Sequence, residues 1–273
     1  MVSRGDTLSI ITSSSNKQVK LVKKLHKKKY RWKNKSFFTE GVRSVSEVIK
    51  SKDIKIKFIL YSASLFDIEG GKDLFNAIDK DIVYETTDNL LKEVSDTKNP
   101  QGILAVVSFN TNELEDILLD DLNFLVILDR VQDPGNMGTI IRTADAMGAN
   151  GIITTSGCVD VYNPKTIRAT MGSIFHMPIL NHNNTTKLVN ELKSKNISII
   201  SSYLTTNKYC YDINFNKNFA LVIGNEANGI TKEIVDISDE ILKIPMTGKA
   251  ESLNAAIASG IIMYEALKQR QNF

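Results

Sequence analysis

Short apolar runs alternate with longer amphipathic stretches along this chain. The run at residues 124–128 is wholly apolar, as expected for a strand that is covered on both faces. Between such runs, apolar residues recur every three or four positions, which is the spacing of one helix face. Regular alternation of strands and helices is typical of α/β domains, so we predict this fold class for the chain.

The alternation falls into two blocks. In residues 1–109 we predict a small α/β domain, with strands at 56–61, 82–84 and 102–109 and helices at 42–51, 74–79 and 88–94. Residues 110–121 contain five acids and neither glycine nor proline, and we predict a linker with one helical turn. In residues 122–273 we predict strands at 124–128, 151–154, 177–179, 197–200, 219–223 and 241–244 and helices at 136–147, 165–171, 186–195 and 253–270, with another after Thr231. Such a doubly wound parallel sheet holds its ligand beyond the carboxyl ends of the strands.

The composition excludes several classes of protein. The 273 residues are 42% hydrophobic and 24% charged, which is ordinary for a globular chain. No apolar run reaches the roughly 18 residues of a membrane span, and the first residues lack the apolar stretch of a signal peptide. Cys158 and Cys210 stand far apart, without the spacing of metal ligands or of a disulfide framework. We therefore expect a cytoplasmic protein without a metal.

The positive charge is concentrated near the beginning. Residues 1–108 carry 20 Lys and Arg against 13 Asp and Glu, whereas residues 109–273 carry 14 against 18. Ten of the twenty residues in 16–35 are Lys or Arg and none is acidic, and Val19, Val22 and Leu25 predict one helix there with a buried stripe. Like charges on one helix face repel each other, and a phosphate backbone would relieve that repulsion.

This basic segment predicts a contact with RNA, although a solvated basic face is the alternative. One of Ser13, Ser14 and Ser15 is expected to cap the helix. Tyr30 and Trp32 either stack on bases or form an edge of the core. The side chains expected to crowd the exposed face are Lys17, Lys20, Lys24, Lys27, Lys28 and Arg31.

Three polar loops follow predicted strands of the second block. In the first, Pro134 and Gly135 are expected to turn the chain before a helix that starts at Asn136. The second contains two glycines around Glu226, which permit unusual backbone angles and leave amides free for a ligand. In the third, Gly248 permits a bend and Ser252 is expected to cap the last helix.

These loops carry a resemblance to a known family. Residues 123–273 resemble the SpoU/TrmH RNA ribose methyltransferases of the SPOUT superfamily, through the motifs Asn136-x-Gly138-x-x-x-Arg142, Gly224-Asn-Glu226-x-x-Gly229, Ile244-Pro-Met and Glu251-Ser-Leu-Asn254. The intermediate stretch Lys165-x-x-Arg168-Ala-x-Met-Gly172 matches as well. The first block, with Ile11-Thr-Ser-x-x-Asn16 and Thr39-Glu-Gly-x-Arg43, is similar to the L30e-like substrate-binding domain of members that act on ribosomal RNA.

The resemblance implies a fold, a partner and a cofactor. The second domain is expected to form a deep trefoil knot and to pair as a homodimer. Arg43 joins the expected RNA-binding residues of the first domain. The knot's loops are expected to hold S-adenosylmethionine, and the residues at the matching positions are Leu204, Gly224, Asn225, Ile244, Met246, Ser252, Leu253 and Asn254.

In this family the arginine at the position of Arg142 is regarded as catalytic towards a ribose 2′-hydroxyl. A guanidinium stays protonated in proteins, so we expect Arg142 to grip a phosphate and stabilise alkoxide charge rather than to act as a base. Asn136 either orients Arg142 or the ribose, or simply caps a helix. Glu226 either holds Arg142 or a loop amide, or is a structural acid. Ser252 and Asn254 either touch cofactor or target, or only start a helix.

The sequence leaves rival functions open. A nicotinamide dehydrogenase would share the doubly wound sheet, but no G-x-G-x-x-G follows an early strand. Loss of Arg142 or of the Glu226 loop would favour a non-catalytic RNA-binding or ribosome-assembly factor, and both are present. The full-size first domain and its basic segment favour ribosomal RNA of the 23S type over tRNA as the methyl acceptor.

Overall fold

The computed structural model describes residues 10–51, 54–119 and 121–271, which form two compact units. One unit comprises the residues up to Asn110 together with Tyr162–Phe175, and the other comprises Thr111–Val161 and the residues from His176 onward. The helices are α1 (Lys17–Leu25), α2 (Lys28–Asn34), α3 (Val42–Lys50), α4 (Gly71–Ala77), α5 (Asp88–Val94), α6 (Pro134–Ala146), α7 (Pro164–Thr170), α8 (Thr185–Ser194), α9 (Lys232–Asp236) and α10 (Ala255–Gln271). The strands are β1 (Ser36–Glu40), β2 (Ile56–Tyr61), β3 (Val83–Glu85), β4 (Ile103–Ser108), β5 (Phe124–Leu128), β6 (Gly151–Thr155), β7 (Ile179–His182), β8 (Ser198–Ser202), β9 (Phe219–Ile223) and β10 (Glu240–Leu242).

A four-stranded mixed sheet forms the middle of the first unit, in the order β1-β4-β2-β3. Strand β4 is antiparallel to both β1 and β2, while β3 runs parallel to β2. The sequence pattern did not predict β1, because Phe37 and Phe38 make too short an apolar run to define a strand. The strand forms because its backbone pairs with β4, with Phe38 opposite Val106, and because both of its faces are buried.

The basic segment of the first unit is two helices rather than the single helix that we predicted. Asn16 caps α1 by accepting a hydrogen bond from the Gln18 amide, so the prediction of a serine cap was wrong. The predicted stripe of Val19, Val22 and Leu25 is fully buried, and it packs against β2, β4 and α5. The chain then leaves the helical path at residues 26–27, where α1 ends and α2 begins.

Residues 162–175 pack within the first unit, although they follow β6 in the sequence and were predicted to belong to the second block. The ring of Tyr162 stacks on Phe109 at 3.9 Å and on Phe37 at 4.9 Å between centroids. Trp32 meets Phe109 edge-on at 5.3 Å, so it forms an edge of the core and does not stand free to stack on bases. This segment therefore completes an aromatic cluster that the first unit's own strand β1 begins.

A six-stranded sheet forms the middle of the second unit, in the order β10-β8-β9-β5-β6-β7. All of its pairings are parallel, which confirms the predicted sheet. The order runs outward in opposite directions from the central pair β5 and β9, so the carboxyl ends of these two strands mark the switch point where such sheets bind ligands. Both strands are fully or almost fully buried. The trefoil knot stays a prediction.

The segment predicted as a linker packs against the second unit. Leu114 and Ile117 are buried in the core of that unit, where Leu114 precedes a single 3₁₀ turn, Glu115–Ile117, and Ile117 ends it. Gly151 opens β6 directly beneath Ile117, since a Cβ atom at position 151 would lie 2.9 Å from the Ile117 Cβ. No described helix is both long enough and apolar enough to cross a membrane.

Candidate functional site

Three loops meet at the carboxyl ends of the parallel strands. We call residues 129–133 loop A, residues 224–231 loop B and residues 243–254 loop C. Loop A follows β5 and leads into α6, loop B follows β9, and loop C joins β10 to α10. Because parallel strands end at one edge of their sheet, loops that are far apart in sequence are brought together here.

Helix α6 begins two residues earlier than predicted. Its first residue is Pro134, and Asp133 caps it by accepting a 2.7 Å hydrogen bond from the Asn136 amide. Pro134 and Gly135 therefore belong to the first helical turn and do not turn the chain before it, since proline suits a position whose amide would have no helical partner. Asn136 is not the cap, so its side chain is available for other contacts.

A chain of side-chain hydrogen bonds joins loops B and C through the first turn of α6. Asn136 Nδ2 donates to Glu226 Oε1 at 2.9 Å, and Asn136 Oδ1 accepts from Asn254 Nδ2 at 2.9 Å. The Asn254 oxygen in turn accepts hydrogen bonds from the amides of Ala256 and Ile257 at the start of α10. Asn254 therefore caps this helix, and the prediction that Ser252 does so was wrong. Each of the two amide nitrogens keeps a second N–H that no described residue accepts.

Glu226 holds loop amides and not Arg142. Its two carboxylate oxygens accept from the amides of Gln132 and Asp133, at 3.3 and 3.2 Å. Partial burial raises the pKa of the Glu226 carboxyl. Hydrogen bonds lower it by a larger amount, so the net pKa lies below the ordinary value. The donors are the Asn136 side chain and the backbone amides of Glu226 itself, Gln132 and Asp133. Glu226 is therefore an anion at neutral pH that ties loop B to loop A.

Arg142 lies on α6, two turns after Asn136, and its side chain is exposed. It makes no hydrogen bond or ion pair with any residue in the described part of the chain. Long helical side chains lean towards the start of their helix, which is the end of α6 that carries Asn136. An exposed guanidinium without an internal partner keeps all of its donors for a ligand.

A cavity of about 300 Å³ opens between loops B and C and the end of β8. Seven of the eight residues predicted to bind the cofactor line it: Leu204, Gly224, Asn225, Ile244, Met246, Ser252 and Leu253. The eighth, Asn254, does not line the cavity and instead makes the contacts described above. Glu226, predicted to be catalytic, also lines the cavity, in the wall that loop B forms.

Sequence reasoning missed part of the cavity wall. Ser202 and Ile223 end parallel strands, which is the signal that could have found them. Ala255 and Ala258 lie in the first turn of α10, where small side chains leave the cavity open. Lys243 also lines the wall, and no feature of the sequence distinguishes it from other surface lysines.

The wall of the cavity suits S-adenosylmethionine. Four of its large apolar side chains, Tyr203, Leu204, Met246 and Leu253, are exposed to the extent of 36–57%, which provides apolar contact area for an adenine ring. The carboxylates of Glu226 and Glu251 suit the positive charges of the sulfonium and the amino group, and Lys243 offers a cation for the carboxylate. The residues present therefore fit this cofactor.

Loop B keeps its shape through its own backbone. A Cβ atom at Gly224 would lie 2.3 Å from the carbonyl carbon of Gly229, so only glycine allows the two ends of the loop to approach. Gly229 has φ +64°, in the left-handed region that favours glycine. The Asn225 oxygen accepts from the amides of Ala227 and Asn228, so its side chain serves the loop, and its backbone is the part left for a cofactor.

In the first unit, most of the predicted RNA-binding residues are exposed: Lys17, Lys20, Lys24, Lys27, Lys28 and Arg43. The prediction that Arg31 lies on the exposed RNA-binding face was wrong, because this residue is only 3% exposed. Its Nη1 donates to the carbonyls of Leu25 and His26, at 2.8 and 2.9 Å. These carbonyls lie at the end of α1, where the helix cannot satisfy them, so Arg31 stabilises the break between α1 and α2.

Within residues 10–51, 54–119 and 121–271, no group of three or more His, Cys, Asp or Glu side chains is placed to hold a metal ion.

The chain matches the model of the SpoU rRNA Methylase family over residues 123–264 and that of the MRM3-like substrate binding domain over residues 16–105. The chain belongs to the SpoU rRNA Methylase family, which confirms the resemblance seen in the sequence.

Individual relatives match over nearly their whole length. The chain is 34% identical to the Bacillus subtilis 23S rRNA (guanosine(2553)-2′-O)-methyltransferase RlmP, over 93% of this chain and 97% of the relative. The AdoMet-bound rRNA methyltransferase of Sinorhizobium meliloti is 34% identical with a TM-score of 0.82, covering 94% of this chain and 97% of that one. The SpoU methyltransferase AviRb of Streptomyces viridochromogenes, in complex with AdoMet, is 28% identical with a TM-score of 0.85, covering 94% and 98%.

Proposed function

We propose that this protein methylates a ribose 2′-hydroxyl in ribosomal RNA of the 23S type, with S-adenosylmethionine as the methyl donor. The observation that carries the proposal is the hydrogen-bond chain Glu226–Asn136–Asn254, which joins loops B and C through α6 beside a cavity that fits the donor. Arg142 is exposed on the same helix as Asn136 and has no partner in the described part of the chain. Action on ribosomal RNA would place the protein in the cytoplasm.

The chemistry requires alignment more than acid–base power. When bound, S-adenosylmethionine supplies a methyl group on a sulfonium that leaves as a neutral thioether. The ribose oxygen forms the new O–CH₃ bond and loses its proton to solvent. Arg142 grips the phosphate next to the acceptor ribose with two parallel N–H bonds and stabilises the charge that develops on the 2′-oxygen.

The asparagine pair positions the acceptor. Glu226, an anion, fixes which way the Asn136 amide faces, because it accepts only from the amide nitrogen. Asn136 in turn fixes Asn254 by accepting from it. The remaining N–H of each amide then has a determined orientation and can donate to ribose or phosphate oxygens. This positioning is achieved before RNA binds, so the ordering does not oppose binding.

The first unit supplies the affinity for RNA. Seven lysines are exposed on α1, α2 and the intervening turn, and none of them forms an ion pair with an acid in the described part of the chain: Lys17, Lys20, Lys24, Lys27, Lys28, Lys29 and Lys33. Contacts with phosphates would release counterions, so binding should weaken steeply as salt rises. The match to a substrate binding domain over residues 16–105 supports this role, and the names of the relatives favour ribosomal RNA over tRNA.

The test is methyl transfer from labelled S-adenosylmethionine to purified ribosomal RNA and, separately, to bulk tRNA. Label in alkali-resistant dinucleotides from ribosomal RNA is the expected result, because a 2′-O-methyl group blocks alkaline cleavage at that nucleotide. Label in tRNA alone would show that the substrate is tRNA and not ribosomal RNA. Binding of ribosomal RNA without transfer to either RNA would show a non-catalytic factor on the same fold.

We also propose that α10 pairs the second unit with a second copy of the chain. Ile257, Ile261 and Tyr264 lie along one side of this helix and are 55%, 38% and 58% exposed, while Ile262 and Met263 on the other side are fully buried. An apolar stripe of this kind marks a protein interface. The variant Ile257→Asp with Tyr264→Asp should sediment as a monomer.

The control for the interface is Leu119→Asp, which removes an apolar side chain that is 54% exposed elsewhere on the same unit. This variant should keep the sedimentation coefficient of the unaltered dimer. A dimer in the α10 variant, or a monomer in the unaltered protein, would refute the proposed interface. Neither result would bear on the proposed reaction.

A further inference from the structure

Arg130 has an unusual backbone conformation at the start of loop A. Its φ of +57° lies in the left-handed region, which side chains with a Cβ atom adopt at a cost in free energy. The residue follows β5 by two positions, at the switch point of the sheet. A strained residue that is not glycine persists only where its surroundings hold it, and such residues cluster at ligand clamps.

The contacts of Arg130 close loop B at both of its ends. Its Nη2 donates to the Gly229 carbonyl at 3.2 Å, and its own carbonyl accepts from Asn225 Nδ2 at 2.9 Å. Asp129, which is 2% exposed, orients the guanidinium through Oδ2 at 3.4 Å from both Nε and Nη2. The same oxygen accepts from the Thr231 amide at 2.9 Å, just beyond Gly229.

Loop B is the part of the cavity wall that these contacts control. Asn225 and Gly229 exchange two backbone hydrogen bonds, of 3.0 and 2.9 Å, which close the loop on itself. Between them lie Glu226 and Ala227, which line the cavity. Arg130 itself does not line the cavity, so any effect of its side chain on a cofactor has to pass through the loop.

We propose that Arg130 is a positioning residue for the methyl donor: its guanidinium holds loop B in the shape that binds S-adenosylmethionine. The inference rests on the proposed function, since it concerns the same cavity. In this conformation the carbonyl of Arg130 accepts from Asn225 and its side chain donates to Gly229, and we attribute the retained strain to these two contacts. The residue acts on donor affinity and not on the chemical step.

Three substitutions separate the side chain from the backbone strain. Arg130→Gly and Arg130→Ala both remove the guanidinium, but only the alanine variant keeps a Cβ atom in the left-handed region. Arg130→Lys keeps a cation that can donate one hydrogen bond to Gly229. The matched control is Asn196→Gly, because Asn196 is an exposed residue with φ +58° that lies outside the cavity wall.

Four kinds of measurement are made on each purified protein. Calorimetry gives the affinity for S-adenosylhomocysteine, steady-state kinetics gives kcat and the KM values for donor and RNA, and thermal unfolding gives the melting temperature. The glycine and alanine variants should both bind about tenfold more weakly and show a matching rise in donor KM, as expected when a charge-assisted hydrogen bond is lost. Their kcat and RNA KM should stay within about twofold of the unaltered values. The glycine variant should melt above the alanine variant, and Arg130→Lys should regain part of the affinity.

Asn196→Gly should raise the melting temperature with no change in affinity. Donor affinity in Arg130→Gly equal to that of the unaltered protein would overturn the inference. So would equal losses in donor KM, RNA KM and kcat, or an affinity loss of the same size in Asn196→Gly, because each would show general destabilisation. An unaltered protein that fails to bind the donor analogue would instead refute the proposed function.

Discussion

Replacing Asn136 with Asp is the sharpest perturbation of the hydrogen-bond chain. The two side chains have the same shape, so the change exchanges one N–H donor for an acceptor oxygen and adds a negative charge. The new oxygen would lie about where Nδ2 now lies, 2.9 Å from Glu226 Oε1. The bond from Asn254 to the other oxygen can persist, because that oxygen remains an acceptor.

Two effects determine the magnitude. Losing a hydrogen bond to a charged acceptor is worth about 1.5 kcal/mol, at the low end of the usual range because Glu226 is exposed. The new charge repels the Glu226 carboxylate, and solvent screening reduces that term to about 1 kcal/mol. Together they amount to about 2.5 kcal/mol, which predicts a loss in kcat/KM of about seventyfold.

The assay is methyl transfer to ribosomal RNA at several pH values, with melting temperatures as a check on folding. Two carboxyls in contact share a proton, and the pKa of one of them rises. Lowering the pH from about 8 to about 6 should therefore restore part of the variant's activity relative to the unaltered protein. Adding Glu226→Gln should also restore part of it, because the new amide can donate to the aspartate.

The rescue in the double variant is incomplete for a structural reason. Glu226 accepts from the amides of both Gln132 and Asp133, and a glutamine offers an acceptor to only one of them. Strictly additive losses from the two substitutions, or full activity in Asn136→Asp alone, would refute the view that this contact positions the site.

Other substitutions test the remaining roles. Arg142→Ala should abolish methyl transfer and leave donor affinity within about twofold, as measured by single-turnover kinetics and calorimetry; normal turnover would exclude the proposed role of Arg142. Lys20→Glu with Lys24→Glu should raise the RNA KM and flatten its salt dependence without changing donor affinity, and an unchanged slope would show that this face does not meet phosphates. Arg31→Leu should lower the free energy of unfolding by about 2–4 kcal/mol, because two helix-end carbonyls lose a buried partner; chemical denaturation measures this, and a loss below about 0.5 kcal/mol would contradict it.

Local pattern was sufficient for most elements of the fold. The wholly apolar runs at β5 and β9 and the amphipathic stretch at α5 fall where they were predicted, because a strand covered on both faces and a helix with one buried face have distinct periodicities. The site motifs could also be recognised in the sequence, since each places glycines and polar residues directly after a strand. Strand β1 was not predicted, because it is stabilised by pairing with β4, which its own sequence does not reveal.

The sequence by itself determined the α/β class, the family and seven of the residues that line the cavity, since these follow from periodicity and from motifs that are continuous in the chain. Only the tertiary structure decided how the motifs act together. It gave Asn136 its two partners, 90 and 118 residues away, turned Arg31 inward and left Arg142 without an internal partner. The physical reason is that side-chain hydrogen bonds form over about 3 Å, and only the folding of parallel strands to a common edge brings residues so far apart in sequence within that distance.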